Sequence, residues 1–142
     1  MAILALDYGT KRIGVAVSDP TLTLARPLSF LAAEPFQQLV LNLRTLIKEY
    51  EISMVLVGMP RNMDGTYGPA AERTKVFAFH LRQALTVPIE TRDERLTTVQ
   101  AARQLHEAGH TARDQKTIID SASAVVLLQS HLDHLAMQAP EE

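Results

Sequence analysis

The sequence predicts an α/β fold: a five-stranded mixed sheet in the spatial order 3-2-1-4-5, flanked by helices. Three observations carry this. Short apolar runs with strand character recur along the chain, three of them before any helical pattern begins. The connections among those three are too short for a crossover, so they form an antiparallel meander. The two later runs each follow a helical stretch, and the right-handed crossover rule returns them parallel to the first strand with helices on the sheet faces.

The elements follow in order. Ile3-Leu4-Ala5-Leu6 is an apolar strand ending in Asp7, and Tyr8-Gly9-Thr10-Lys11-Arg12 turns into a second strand, in which Ile13, Val15 and Val17 alternate with Gly14, Ala16 and Ser18. Leu24 to Leu31 is the third, and Pro27 assigns it to an edge. Phe36, Leu39, Val40, Leu43, Leu46, Ile47 and Tyr50 recur at helical spacing, giving a helix over about Pro35 to Glu49. Ser53 to Gly58 is a buried strand, and the loop from Met59 to Gly68 contains Pro60 and the Asp64-Gly65 pair. Pro69 opens a second helix through Leu85.

Val87 to Thr91 is the fifth strand, followed by the charged run Arg92, Asp93, Glu94 and Arg95. A third helix runs from a cap at Thr97 or Thr98 to Gly109, a polar, basic loop covers Gly109 to Thr117, and the last helix spans about Thr117 to Met137. On its helical wheel Ile118, Ala122, Val125, Val126 and Leu132 share one arc. Asp120 falls outside it, with Ser123, Leu127 and His131 beside it. Residues 1–138 read as a single domain and 139–142 as a loose C-terminal tail.

Composition sets bounds. A chain of 142 residues can bury a real core without staples, and the absence of cysteine excludes disulfides, thiolate nucleophiles and zinc–thiolate sites, in keeping with the cytoplasm. The amino terminus reads as neither signal peptide nor membrane span, so no membrane partner is expected. The net charge of −2 excludes a strong, general nucleic-acid footprint, leaving local basic clusters to make any such contact.

Ligands of open α/β sheets gather at the carboxyl ends of the strands. Asp7, the loop from Met59 and the pair Asp93-Glu94 all fall there. An aspartate is rarely buried without a partner, so Asp7 implies a metal or phosphate site, a salt bridge, or the capping of its own turn. Asp120 in a first helical turn has an ordinary reading too, since the helix dipole favours an acid there. Tyr8 can stack on a base or cover the sheet edge. Gly9 is assigned to a turn of positive φ and Gly14 to a close approach.

The stretches LALDYGTKRIGVAVSD, VGMPRNMDGTYGPAAERT, IETRDERLTT and KTIIDSASAVVLLQ resemble the four signature blocks of the YqgF/RuvX family, in order and over nearly the whole chain. The resemblance implies a ribonuclease H-like fold and a metal-dependent nuclease described as processing the 5′ end of pre-16S ribosomal RNA, with resolvase activity toward four-way DNA junctions by kinship. Its acidic constellation falls on Asp7, Glu94 and Asp120. Two divalent ions about 4 Å apart suit phosphodiester hydrolysis, and oxygen ligands select Mg²⁺ or Mn²⁺. Asp7 would bridge them while Glu94 and Asp120 each hold one. Glu94 competes with Asp93, because adjacent strand residues face opposite ways.

Around these acids Tyr8, Gly9, Thr10, Lys11, Arg12, Arg61, Asn62, Arg95, Arg113 and Lys116 are candidate contacts to a nucleic acid, either an RNA precursor or structured, branched DNA. Each cation also has the plain reading of a solvated surface charge. Two other classes stand beside the nuclease: an actin-like or sugar-kinase-like ATPase, for which one domain of this length is too small, and a non-catalytic module binding RNA or a transcription factor. A resolvase that cuts symmetrically would be a homodimer, whereas an RNA nuclease can act as a monomer.

Overall fold

The computed structural model describes residues 1–9, 11–60, 67–94 and 112–138, and of residues 94, 112–120 and 138 only the backbone. Along it run β1 (Ala2–Tyr8), β2 (Arg12–Ser18), β3 (Ala25–Ala32), α1 (Phe36–Glu49), β4 (Ile52–Pro60), α2 (Pro69–Ala84), β5 (Ile89–Glu94) and α3 (Ala112–Gln138). The strands form one sheet in the order β3-β2-β1-β4-β5. Pairing is antiparallel from β1 to β2 and β2 to β3, and parallel from β1 to β4 and β4 to β5. The expected topology and the edge position of β3 both hold.

Strand alternation divides the core into two layers. Leu4, Leu6, Val55, Val57 and Ile89 pack with Leu39 and Leu43 of α1 and Phe77 and Leu81 of α2. Ile3, Ala5, Ala16 and Leu56 pack instead with Ala124, Leu127, Leu128 and Leu132 of α3. The central strand β1 is thus covered on both faces, and its last residues emerge from between the layers.

Polar bonds fix where α3 lies. The β2–β3 register slips between Ile13 and Val15, which leaves backbone groups out of the ladder. Ser121 meets them: its hydroxyl donates to the Leu28 carbonyl (2.7 Å) and accepts from the Val15 amide (3.1 Å). Farther along α3, Gln129 accepts from the Ala25 amide (2.9 Å) and donates to the Thr23 carbonyl (3.0 Å). The turn between β2 and β3 closes on Asp19, whose carboxylate accepts the Thr21 hydroxyl and the amides of Thr23 (2.7 Å) and Leu24 (2.9 Å). Those bonds, the Thr21 hydroxyl first, hold its pKa down to about 2.

Several expectations are corrected. β5 does not stop at Thr91: its ladder with β4 continues through Gly58–Arg92, Met59–Asp93 and Pro60–Glu94, so most of the charged run lies inside the strand. The last helix begins at Ala112 rather than near Thr117. Residues 112–117 contain neither Gly nor Pro, and their own helix propensity extends it. Arg113 and Lys116 are therefore helical, and Asp120 stands in the third turn, beyond the reach of the amino-terminal dipole. The packed arc is rotated as well, centred on Ala124, Leu127, Leu128 and Leu132, with Val126 half-buried. Gly9 has no positive φ; a side chain there would collide with the Arg12 carbonyl oxygen. The expected helix from Thr97 or Thr98 to Gly109 lies outside the described residues.

Replacing Ser121 by Ala strands a buried amide and a part-buried carbonyl. Loss of about 2–3 kcal/mol is expected, since unmet buried groups cost roughly 1–3 kcal/mol each. Urea denaturation measures it, and an unchanged midpoint would refute the anchoring role.

Candidate functional site

Asp7 and Tyr8 end β1 on opposite faces of the sheet. Asp7 follows Ile3 and Ala5 onto the α3 face, and Tyr8 follows Leu4 and Leu6 onto the face of α1 and α2, where its ring stacks on Phe77. Burial pushes the Asp7 pKa above its usual 3.8, and a hydrogen bond with the Ser123 side chain pulls it back in part. Asp19 provides the contrast. Its carboxylate serves its own turn and titrates low, whereas Asp7 is held across the sheet by α3 and titrates high.

The register places the surroundings of Asp7. The β1–β4 ladder runs to Leu6–Val57, so Asp7 stands beside Gly58, which pairs with Arg92. Gly58 shares its face with Met54 and Leu56, so β4 offers no side chain between Asp7 and β5, two strands or about 10 Å away. On α3 the residues opposite are small, Ser121, Ala122, Ser123 and Ala124. On this face, then, the backbone of Gly58 stands bare beside the Asp7 carboxylate.

β5 faces it in a defined sense. Ile89 belongs to the layer of α1 and α2, so positions 91 and 93 share that face and positions 90, 92 and 94 the α3 face. The side chains agree: the Tyr67 hydroxyl donates to the Asp93 carboxylate at 2.8 Å, and Arg92 donates to Ser130 of α3 at 3.2 Å. Position 94 thus falls on the face of Asp7. Position 120 precedes Ser123 by three residues on one side of α3. Positions 113, 116 and 120 lie within about 60° of one another on the helix, a stripe continuing past the sheet's end.

Lys11 and Arg12 are exposed; the Lys11 carbonyl accepts the Ala33 amide at 2.9 Å, and the Arg12 guanidinium lies 5.1 Å from the centre of the Phe30 ring. Thr10, Arg61, Asn62 and Arg95 lie outside the described residues. Among the described residues no three metal-type side chains form a group; of Asp7, Glu94 and Asp120, only Asp7 has a described side chain.

Sequence reasoning missed the Tyr67 bond, the Ser121 and Ser123 hydroxyls as partners, and His131. His131 has a buried Nδ1 with no partner among the described residues. Burial first, and Arg92 second, push its pKa down, against Glu90. Its spacing with Ser123 and Leu127 was the available signal.

A five-stranded sheet of this order, with an acid ending its first strand beneath a long helix, defines a ribonuclease H-like protein. Solved structures share the fold. Fowlpox virus resolvase, in complex with Holliday junction DNA, superposes with a TM-score of 0.61 at 14% identity over 95% of this chain and 99% of that one. T. thermophilus RuvC, with a Holliday junction substrate, gives 0.54 at 13% identity over 97% of each. The model of one family, described as RuvX, Holliday junction resolvase, matches residues 1–134, and the chain belongs to that family. A relative from Thermoanaerobacter pseudethanolicus is 42% identical over 94% of this chain and 96% of its own length, and one from Moorella thermoacetica 42% identical over 95% and 96%; each is named "Putative pre-16S rRNA nuclease".

Two outcomes are expected. A raised carboxyl pKa means that the stability Asp7 contributes is present below pH 3.8 and is lost as pH rises through its folded value, so at neutral pH its charge is a cost. In chelator at neutral pH Asp7→Asn should melt higher than wild type, by about 3 °C for each kcal/mol gained. The gap should close in acid, and Mg²⁺ should raise the wild-type midpoint alone; a less stable variant would refute the reading. Second, Glu94→Gln should abolish catalysis while Asp93→Asn retains most of it, and the reverse result in a cleavage assay would put Asp93 in the site.

Proposed function

We propose that the protein is a divalent-metal-dependent nuclease that hydrolyses phosphodiester bonds and processes the 5′ end of pre-16S rRNA in ribosome biogenesis, as one domain over residues 1–138 acting in the cytoplasm. The observation that carries it is the half-buried Asp7 carboxylate, opposed by a neutral hydroxyl at the carboxyl end of the central strand, in a member of the RuvX family. The named relatives support the ribosomal substrate. The family's description supports a second reading, a resolvase of branched DNA, which would act as a homodimer.

The residues fit a metal centre. A desolvated anion facing a hydroxyl is under-compensated, and oxygen donors favour hard cations, Mg²⁺ or Mn²⁺. Asp7, Glu94 and Asp120 would hold a pair of them. When bound, such ions supply an acidified water and positive charge opposite the oxygens on which negative charge develops.

The chain's own residues do the rest. Ser123 hydrogen-bonds the Asp7 carboxyl and so orients it beside Gly58. The small residues of α3 and the bare Gly58 leave room for a phosphate there, and their apolar surroundings thin the water that would screen it. Lys11, Arg12, Arg61, Asn62 and Arg95 receive backbone phosphates around the strand ends, and the stripe of Arg113 and Lys116 extends that path along α3. Tyr8, Gly9 and Thr10 contact the nucleic-acid strand where it passes over the end of β1. The absence of any side chain at Gly9 lets the backbone close on itself at that point.

Cleavage of a pre-16S rRNA fragment should require Mg²⁺ or Mn²⁺, and Asp7→Asn should slow it by at least about a thousandfold, roughly 4 kcal/mol. The assay is run beside a four-way DNA junction. Cutting of the junction alone selects the second reading, and cutting undiminished in excess chelator ends both.

A further inference from the structure

Tyr8 stands with its back to the carboxylate site. Its ring lies against Phe77 with centroids 4.4 Å apart and planes 27° from parallel, and beside this pair opens a cavity of about 490 Å³ on the face of α1 and α2. Phe36 and His80, edge to face at 6.0 Å, supply two further rings. Ala33, Val76 and the exposed Glu34 and Arg73 complete the lining.

We propose that this cavity receives an unpaired nucleobase of the strand whose phosphate lies at Asp7, an assignment that rests on the nuclease reading. Aromatic faces stack bases with little regard to sequence, and the volume lies within the range of small-molecule sites. An acceptor-only carboxylate and a donor-only guanidinium complement the mixed donors and acceptors of a base edge. Position is the decisive point. Consecutive Cα atoms are about 3.8 Å apart, and β1 turns Asp7 to one face and Tyr8 to the other. A strand crossing the end of the sheet can therefore set its phosphate on the first face and a neighbouring base on the second. A base within a continuous duplex cannot make that step without unpairing, so the cavity favours single-stranded or frayed positions.

The test uses the whole chain and does not depend on turnover. Side-chain NMR resonances of Tyr8, Phe36 and His80 are followed while UMP, CMP, AMP or GMP is added, with ribose 5-phosphate as the control that lacks a base. Val76, 55% exposed and in the cavity lining, is replaced by Trp to fill the space without disturbing the core. The mononucleotides should shift all three rings in wild type, and ribose 5-phosphate should not. Val76→Trp should abolish the shifts and weaken binding of a short single-stranded oligoribonucleotide in chelator about tenfold. Equal shifts with ribose 5-phosphate, shifts confined to other residues, or unaltered oligonucleotide binding by Val76→Trp would each overturn the proposal. Ring shifts in a protein that cuts no nucleic acid would support the base site and count against the nuclease reading alone. Cleavage without the shifts would count against the base site alone.

Discussion

Two serine hydroxyls hold α3 to the sheet at the level where the central strand ends, and the geometry of the site depends on where they put it. Ser121 occupies the slip between β2 and β3, satisfying the Val15 amide and the Leu28 carbonyl together, which fixes the helix both along its axis and about it. Once that contact is made, Ser123 meets Asp7 without further choice, and position 120 follows one turn earlier. A longer side chain at either serine would lift the helix away from strands whose inward residues, Ala5 and Ala16, are themselves small. Polar satisfaction and close packing therefore require the same residues.

The sheet's end then acts as a divide between two chemistries. On the α3 side lie a carboxylate, hydroxyls and a backbone bared by Gly58; on the other lie stacked rings with two opposite charges at their margin. Strand alternation alone produces this separation, so neither environment compromises the other. The low dielectric on the first side strengthens any charge pairing made there, while the second offers polarisable surface to an uncharged ring.

Much of this was legible in the amino-acid order. Connection lengths and periodicity suffice to derive the strand order, because short turns force a meander and helical spacers force parallel returns. Asp7 stood out because a carboxylate closing an apolar strand has few packing explanations. The bounds of β5 were hidden, since Arg92 and Asp93 have little strand propensity and owe their conformation to the ladder with Gly58 and Met59 and to Tyr67. The early start of α3 followed propensities that the charged composition of residues 113–116 disguised as a loop. The role of Ser121 could not be read at all, because it answers an irregularity in strands more than ninety residues distant, the separation to Leu28 being 93.

The Asp19 turn carries a consequence in acid. Hydrogen bonds hold the pKa of its carboxyl down to about 2 while burial pushes that of Asp7 above 3.8, so as pH falls Asp7 takes up its proton before Asp19 does. The hairpin that receives Gln129 of α3 therefore keeps its closing charge at a pH where the end of the central strand has lost its own. On return to neutral pH the charge at Asp7 is restored by proton loss alone.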